Sequence, residues 1–269
     1  MKKLTDWMKK NNNTRGRILS DFDRMTHELR PCDVLLVEGR SNISNGIRFL
    51  TNSSWTHAAL YIGRIYDVED EKIRSIISRD HVAEPETQFI IESLLGVGTV
   101  LRPLKIYKNE HLRICRPSRL SYKDKPKVIA HAANQIGKEY NLRQIFDLAR
   151  FLLPWYIMPR KWASSLFRKN LSRPTKTVCS TMIAESFASA EYPILPLVKH
   201  NDKGQPQLFR RNPKLCTPSD FDYSPYFDII KYSFVDFFQA EYNLLPWTGP
   251  ASLSEEENDF FLNPTEKKQ

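Results

Sequence analysis

Three residues carry the chemistry that this sequence can support: Cys179, His57 and Glu92. Cys179 opens the run "CSTMIAESFASA", in which Cys179, Met182, Ile183, Ser186, Phe187 and Ala190 fall on one helical face. That spacing predicts a helix beginning at the cysteine. The unpaired N–H groups and the dipole at a helix N-terminus stabilise a thiolate and lower the thiol pKa. The same N–H groups can hold the oxyanion of a tetrahedral intermediate. A nucleophilic thiol also needs a base in reach and a third group to orient that base.

His57 heads the strand-like run "HAALYIG", where His57, Ala59 and Tyr61 share one face and Ala58, Leu60 and Ile62 the other. Glu92 sits in "QFIIESLLG", an apolar strand where an acid is costly unless it has a partner. Singly, each has an ordinary structural role: a packed helix cysteine, a hydrogen-bonded core histidine, a strand-end acid. Together, a helix-leading cysteine with a histidine and a glutamate on neighbouring strands points to acyl transfer.

The elements that must position these residues are legible by periodicity. "DVLLVEG" reads as a strand, "SNISNGIRFLTN" as a short helix and "THAALYIGRIY" as a strand. Asp67 to Thr87 reads as a charged loop or hairpin. "QFIIESLLG", "TVLRPLKIY" and "HLRICRP" read as three more strands. "KPKVIAHAANQIG" is a helix with proline in its first turn and Gly137 at its end. "NLRQIFDLARFLL" is a second helical pattern and the cysteine run a third, while "CTPSDFDYSPYFDIIKY" mixes turn signals with a last strand. Strands in succession with helices grouped around them predict an α+β fold with an antiparallel sheet. The expected organisation is an N-terminal helical arm over 1–30, one domain over 31–235, and a C-terminal extension with a polar tail over 236–269.

Composition narrows the class. With 41% apolar and 26% charged residues the chain is expected to be globular, and 40 basic against 31 acidic side chains, net +9, favour anionic partners. The four cysteines, Cys32, Cys115, Cys179 and Cys216, form no CxxC pair. His111 and Cys115 have ligand-like spacing but no second pair, so no metal or other cofactor is expected. The N-terminal lysines lead into no apolar stretch, and "FLLPWYIM" at 151–158 is too short to span a bilayer. A reduced cytoplasmic protein, peripheral on a membrane, is the expectation.

With those residues in view, the chain resembles the circularly permuted, papain-like cysteine hydrolases of the YiiX/YebB type, relatives of the NlpC-type peptidases and of lecithin retinol acyltransferase. The resemblance runs from about Pro31 to Tyr232 and rests on "CDVLLVEGRSNISNGIRFLTNSSWTHAALYIG", "FIIESLLGVGTVLRPL", "IGKEYN", "TVCSTMIAESF" and "TPSDFDYSP". It implies a papain-like core with an antiparallel sheet packed against the cysteine helix, and the order histidine, acid, cysteine, matched by His57, Glu92 and Cys179. Two departures stand out. The family has Gly-Asp where this chain has Cys32-Asp33, and the segment between "GKEYN" and the cysteine is longer.

That longer segment, about 143–176, holds Arg143, Arg150, Arg160, Lys161, Arg168, Lys169, Arg173 and Lys176 against the single acid Asp147. Trp155, Tyr156 and Trp162 are interleaved with them. Trp155, Tyr156, Arg160, Lys161 and Trp162 suit contact with an anionic membrane or with a lipid-like substrate. A helical hairpin with buried aromatics is the alternative. A nucleic-acid surface is a weaker reading, because no nucleic-acid-binding motif accompanies the charge. The functional expectation is a cysteine hydrolase or acyltransferase acting on an amide, ester or thioester of an acyl-bearing small molecule, lipid or modified peptide. A vestigial membrane-binding module on the same scaffold, or an NlpC-type peptidase, are the competing readings.

Overall fold

A computed structural model describes residues 20–39, 42–68, 70–78, 84–94, 96–140, 176–177, 179–201 and 203–231. Strands β1 (Val34–Glu38), β2 (His57–Arg64), β3 (Gln88–Leu94), β4 (Gly98–Pro103), β5 (His111–Pro117) and β10 (Phe227–Ile230) form one six-stranded sheet. Its order is β10-β5-β1-β2-β3-β4 and every pairing is antiparallel. With helices packed on it, the fold is α+β, as the sequence predicts.

Both faces of the sheet are covered, which explains why "VLLV" and "ALYI" show no polar alternation. On one face Val34, Leu36, Ala58, Leu60, Ile62 and Ile91 pack against helices α3 (Glu71–Ser78), α4 (Lys125–Ala133) and α5 (Cys179–Ser189). On the other, Leu35, Val37, Ala59, Tyr61 and Ile90 meet Met25 of helix α1 (Phe22–Glu28), Leu29 and Leu104. Helix α5 is enclosed nearly all round: besides the predicted stripe, Ser180, Thr181 and Ala184 are buried. Its polar groups are satisfied within that enclosure, Ser180 Oγ donating to the Cys216 carbonyl at 2.6 Å and Ser186 Oγ to the Met182 carbonyl at 2.8 Å.

Two predicted elements differ. The segment Asp67–Thr87, expected as a loop or hairpin, contains α3. Its Ile73 and Ile77 stand one helical turn apart and enter the core, so burial of that stripe outweighs the surrounding charge. "TVLRPLKIY", expected as one strand, leaves the sheet at Pro103, and Leu104–Tyr107 turns as a 3-10 helix. A hairpin of β8 (Leu197–His200) and β9 (Pro206–Phe209) and a short helix α6 (Ser219–Tyr223) complete the elements after α5, while helix α2 (Asn42–Thr51) follows β1.

The approach to Cys179 depends on a close backbone contact. Gly98 has φ +98°, and a Cβ there would lie 2.3 Å from the Lys138 carbonyl oxygen. Thr99 N–H donates to that oxygen at 2.8 Å, and Gly137 N–H to the Thr99 carbonyl at 2.9 Å. This seats β6 (Glu139–Tyr140) beside β4, and β6 pairs in parallel with β7 (Lys176–Thr177), which leads into α5. Residues 141–175, including Trp155, Tyr156, Arg160, Lys161 and Trp162, lie outside the described residues, as do 1–19 and 232–269. No described helix is long and apolar enough to cross a membrane.

Candidate active site

His57 is the first residue of β2, opposite Val37 of β1. Its start is pinned from both sides. Thr56 N–H donates to the Val37 carbonyl at 3.2 Å, and the Thr56 hydroxyl accepts Gly39 N–H at 2.9 Å. A Cβ on Gly39 would sit 2.4 Å from Ser44 Oγ and 2.8 Å from Thr56 Oγ1, so a larger residue would have to displace these hydroxyls. Just upstream, Trp55 stacks on His111 at 5.5 Å between ring centroids, carries the Arg113 guanidinium 4.6 Å above its ring, and donates its indole N–H to Asp222 at 3.2 Å. Arg113 also donates to Asp222, at 2.7 and 2.8 Å. The histidine backbone is therefore rigid.

Strand register brings Glu92 to it. Leu60 pairs with Ile91 and Tyr61 with Ile90, so Glu92 emerges on the face shared by His57, Ala59 and Tyr61. Its side chain is fully buried. Glu92 Oε2 meets His57 Nε2 at 2.6 Å, and Arg102 Nη1 donates to Glu92 Oε1 at 3.2 Å. Tyr107 donates its hydroxyl to Glu92 Oε2 as well. Arg102 and Tyr107 differ in how far the sequence marks them. An arginine in the apolar run "TVLRPL" carries the same signal that marks Glu92 in "FIIESL". Tyr107 depends on the 3-10 turn, which periodicity does not reveal.

Cys179 stands at the start of α5, buried, with His57 and the backbone N–H groups of Ala58 and Ser180 beside it. Burial alone would push the Cys179 thiol up, but the charge and hydrogen bond of His57 and the two N–H groups hold it below the ordinary thiol range. Burial works against the His57 cation too. The negative charge of Cys179 and the hydrogen bonds with Cys179 and Glu92 outweigh it and raise the imidazole to about 10. Glu92 would likewise be raised by burial, yet His57, Tyr107 and Arg102 bring it below the ordinary carboxyl value. The three residues thus favour a thiolate–imidazolium pair backed by a carboxylate.

The remaining thiols are the converse. Burial pushes Cys32 up to about 12, and raises Cys115 and Cys216 above the ordinary thiol range as well. His111 Nδ1 lies 3.0 Å from Ser20 Oγ, and its ring stacks on Trp55. Among the described residues no group of three or more His, Cys, Asp or Glu side chains is placed to hold a metal ion.

No protein-family model matches the chain, and no curated protein matches it in sequence. Among solved structures it is similar to one described as the metalloprotein YiiX from Escherichia coli O157:H7. The identity is 14% and the TM-score 0.44, over 77% of this chain and 98% of that one.

Proposed function

We propose that the chain is a cysteine-dependent hydrolase or acyltransferase with a permuted papain-like core, and that Cys179, His57 and Glu92 are its nucleophile, base and orienting acid. One observation carries the reading: the imidazole of His57 is bonded through Nε2 to a fully buried carboxylate and is the group whose charge does most to lower the helix-leading thiol of Cys179. The Cys179 thiolate attacks the carbonyl of an amide, ester or thioester, forming a C–S bond. The oxyanion forms at the N-terminus of α5, where the backbone N–H of Cys179 is the proposed donor. As the intermediate collapses, His57 gives its proton to the leaving amine, alcohol or thiol and the C–X bond breaks. Neutral His57 then takes a proton from water or another acceptor, which attacks the thioester and releases Cys179. Throughout, Glu92 fixes the imidazole tautomer and stabilises its cation, as the acid does in a serine triad.

For the substrate we propose an acyl-bearing or lipid-like molecule met at an anionic membrane surface. The support is sequence position: the basic, aromatic segment of about 143–176 follows β6 in the chain and ends at β7, just ahead of Cys179.

The test is the pH dependence of alkylation of Cys179 by iodoacetamide, resolved by mass spectrometry against the other three cysteines, in wild type and in His57→Ala. Cys179 is expected to react first, with an acid limb below the ordinary thiol range that moves up when His57 is removed. Reaction of Cys179 no faster than that of Cys115 would sink the assignment and leave the membrane-binding module as the reading.

A further inference from the structure

We propose that Tyr107 and Arg102 are positioning residues for this site, holding the Glu92 carboxylate in the one orientation, and the one charge state, in which it serves His57. The proposal deepens the assignment of Cys179 and His57 and rests on it. A buried carboxylate held by a single histidine could turn about its own axis and lose that bond. Here both oxygens are engaged: Oε2 by His57 Nε2 at 2.6 Å and by the Tyr107 hydroxyl, Oε1 by Arg102 Nη1 at 3.2 Å. Register makes this possible, because Arg102 lies opposite Ile90, one diagonal step from Glu92, while the turn Leu104–Tyr107 brings the phenol back over the sheet. The Tyr107 ring stands 6.4 Å from that of His57.

The reaction explains why a histidine alone is not enough. Once His57 has protonated the leaving group it is neutral, and a fully buried Glu92 would have no cation beside it. A buried charge in that state is costly and tends to take up a proton. Arg102 is the cation that persists. Tyr107 adds a neutral donor that stays protonated, its phenol raised well above the ordinary value by burial and by the charge of Glu92. The groups facing Glu92 are therefore His57 from β2, Arg102 from β4 and Tyr107 from the turn, with Cys179 of α5 acting through His57.

The experiment is the same alkylation profile in Tyr107→Phe, Arg102→Gln and Arg102→Lys, each compared with wild type by thermal unfolding. Loss of either donor makes Glu92 easier to protonate, so the imidazolium is less stabilised and the thiolate takes up its proton sooner. In Tyr107→Phe and Arg102→Gln the acid limb is expected about one pH unit higher, roughly a tenfold change in proton affinity. Arg102→Lys, which keeps the charge, is expected to stay near wild type. An acid limb unmoved in either folded variant overturns the proposal. If Tyr107→Phe does not fold, the contrast between Arg102→Gln and Arg102→Lys decides it. His57→Ala separates the two readings: if it leaves Cys179 reactivity intact, the catalytic assignment fails. If it collapses that reactivity while the other variants follow wild type, only the role of Tyr107 and Arg102 fails.

Discussion

Asp33 and Glu92 are buried carboxylates at the sheet that each hold an arginine, yet they are built for different ends. Asp33, just ahead of β1, accepts Arg116 Nη2 at 2.9 Å and Nε at 3.1 Å, and Arg30 N–H at 2.9 Å. Arg116 also donates to the Glu28 carbonyl at 2.6 Å, so the pair stitches the end of α1 to β1 and β5. Glu92 accepts one arginine, one tyrosine and one imidazole. For Asp33 burial outweighs its partners and raises the carboxyl above its ordinary value; for Glu92 the partners outweigh burial and lower it. A buried acid–arginine pair is therefore not by itself a mark of function. What distinguishes Glu92 is a titratable donor that itself faces a thiol.

Crossing the two pairs gives the largest expected effects. Arg116→Met leaves Asp33 buried without its cation and is expected to cost about 3 kcal/mol in denaturant unfolding. The rate of Cys179 alkylation should follow wild type. Glu92→Gln is expected to do the reverse, slowing alkylation below neutral pH roughly tenfold or more as the thiolate pKa rises by a unit, while unfolding changes less than in Arg116→Met. If Arg116→Met abolishes Cys179 reactivity in a folded protein, the division between the two carboxylates is wrong.

A smaller effect sharpens the same contrast through pH. His57 is raised in the fold, so the stability it contributes is fully present below its ordinary value of 6.5 and is lost as pH rises through about 10. Cys179, lowered, contributes with the opposite sign, so the comparison is made with the thiol removed: thermal stability of Cys179→Ala is expected to fall as pH rises above 6.5 more steeply than that of Cys179→Ala/His57→Gln. On the acid side the carboxylates have opposite signs. Glu92, lowered, contributes stability above the ordinary carboxyl range that is lost as pH falls through its folded pKa; Asp33, raised, gains relative stability as pH falls. Parallel curves for those two variants above pH 6.5 would show that Glu92 does not hold the imidazole by charge.

How much of this the residues announce depends on whether the signal is local. The strands β1, β2 and β3 and the helix α5 follow from periodicity, and the bond between His57 and Glu92 is signalled locally, because an acid in "FIIESL" and a histidine heading "HAALYIG" each need a partner. Arg102 and Tyr107 escape because their place depends on the β3–β4 register and on a 3-10 turn after Pro103. Helix α3 escapes for a different reason. Its apolar stripe, Ile73 and Ile77, is short and flanked by Glu71 and Arg74, so charge hides a core contact visible only once the sheet is in place. The hairpin β8–β9 is exposed on both strands and buries no apolar pattern to read.

The smallest effect concerns the turn that carries Asp33. Cys32 has φ +78°, in the left-handed region that glycine favours. The turn is nonetheless fixed: Cys32 N–H donates to the Tyr61 carbonyl and Tyr61 N–H to the Asp33 carbonyl, both at 2.9 Å. The side chain is fully buried, with Sγ 3.6 Å from the Lys125 carbonyl oxygen. Two terms of opposite sign then meet in Cys32→Gly. Relief of the left-handed conformation stabilises by about 1 kcal/mol, and removal of a small buried side chain destabilises by about 1–2 kcal/mol. Unfolding is expected within about 1 kcal/mol of wild type, whereas Cys32→Val, branched at Cβ and held at positive φ, is expected to lose about 2 kcal/mol. If glycine costs as much as valine in denaturant unfolding, packing at Sγ rather than backbone conformation governs this turn. In either case Cys179 alkylation should be unchanged, because the Asp33 end of β1 builds the sheet and the His57 end uses it.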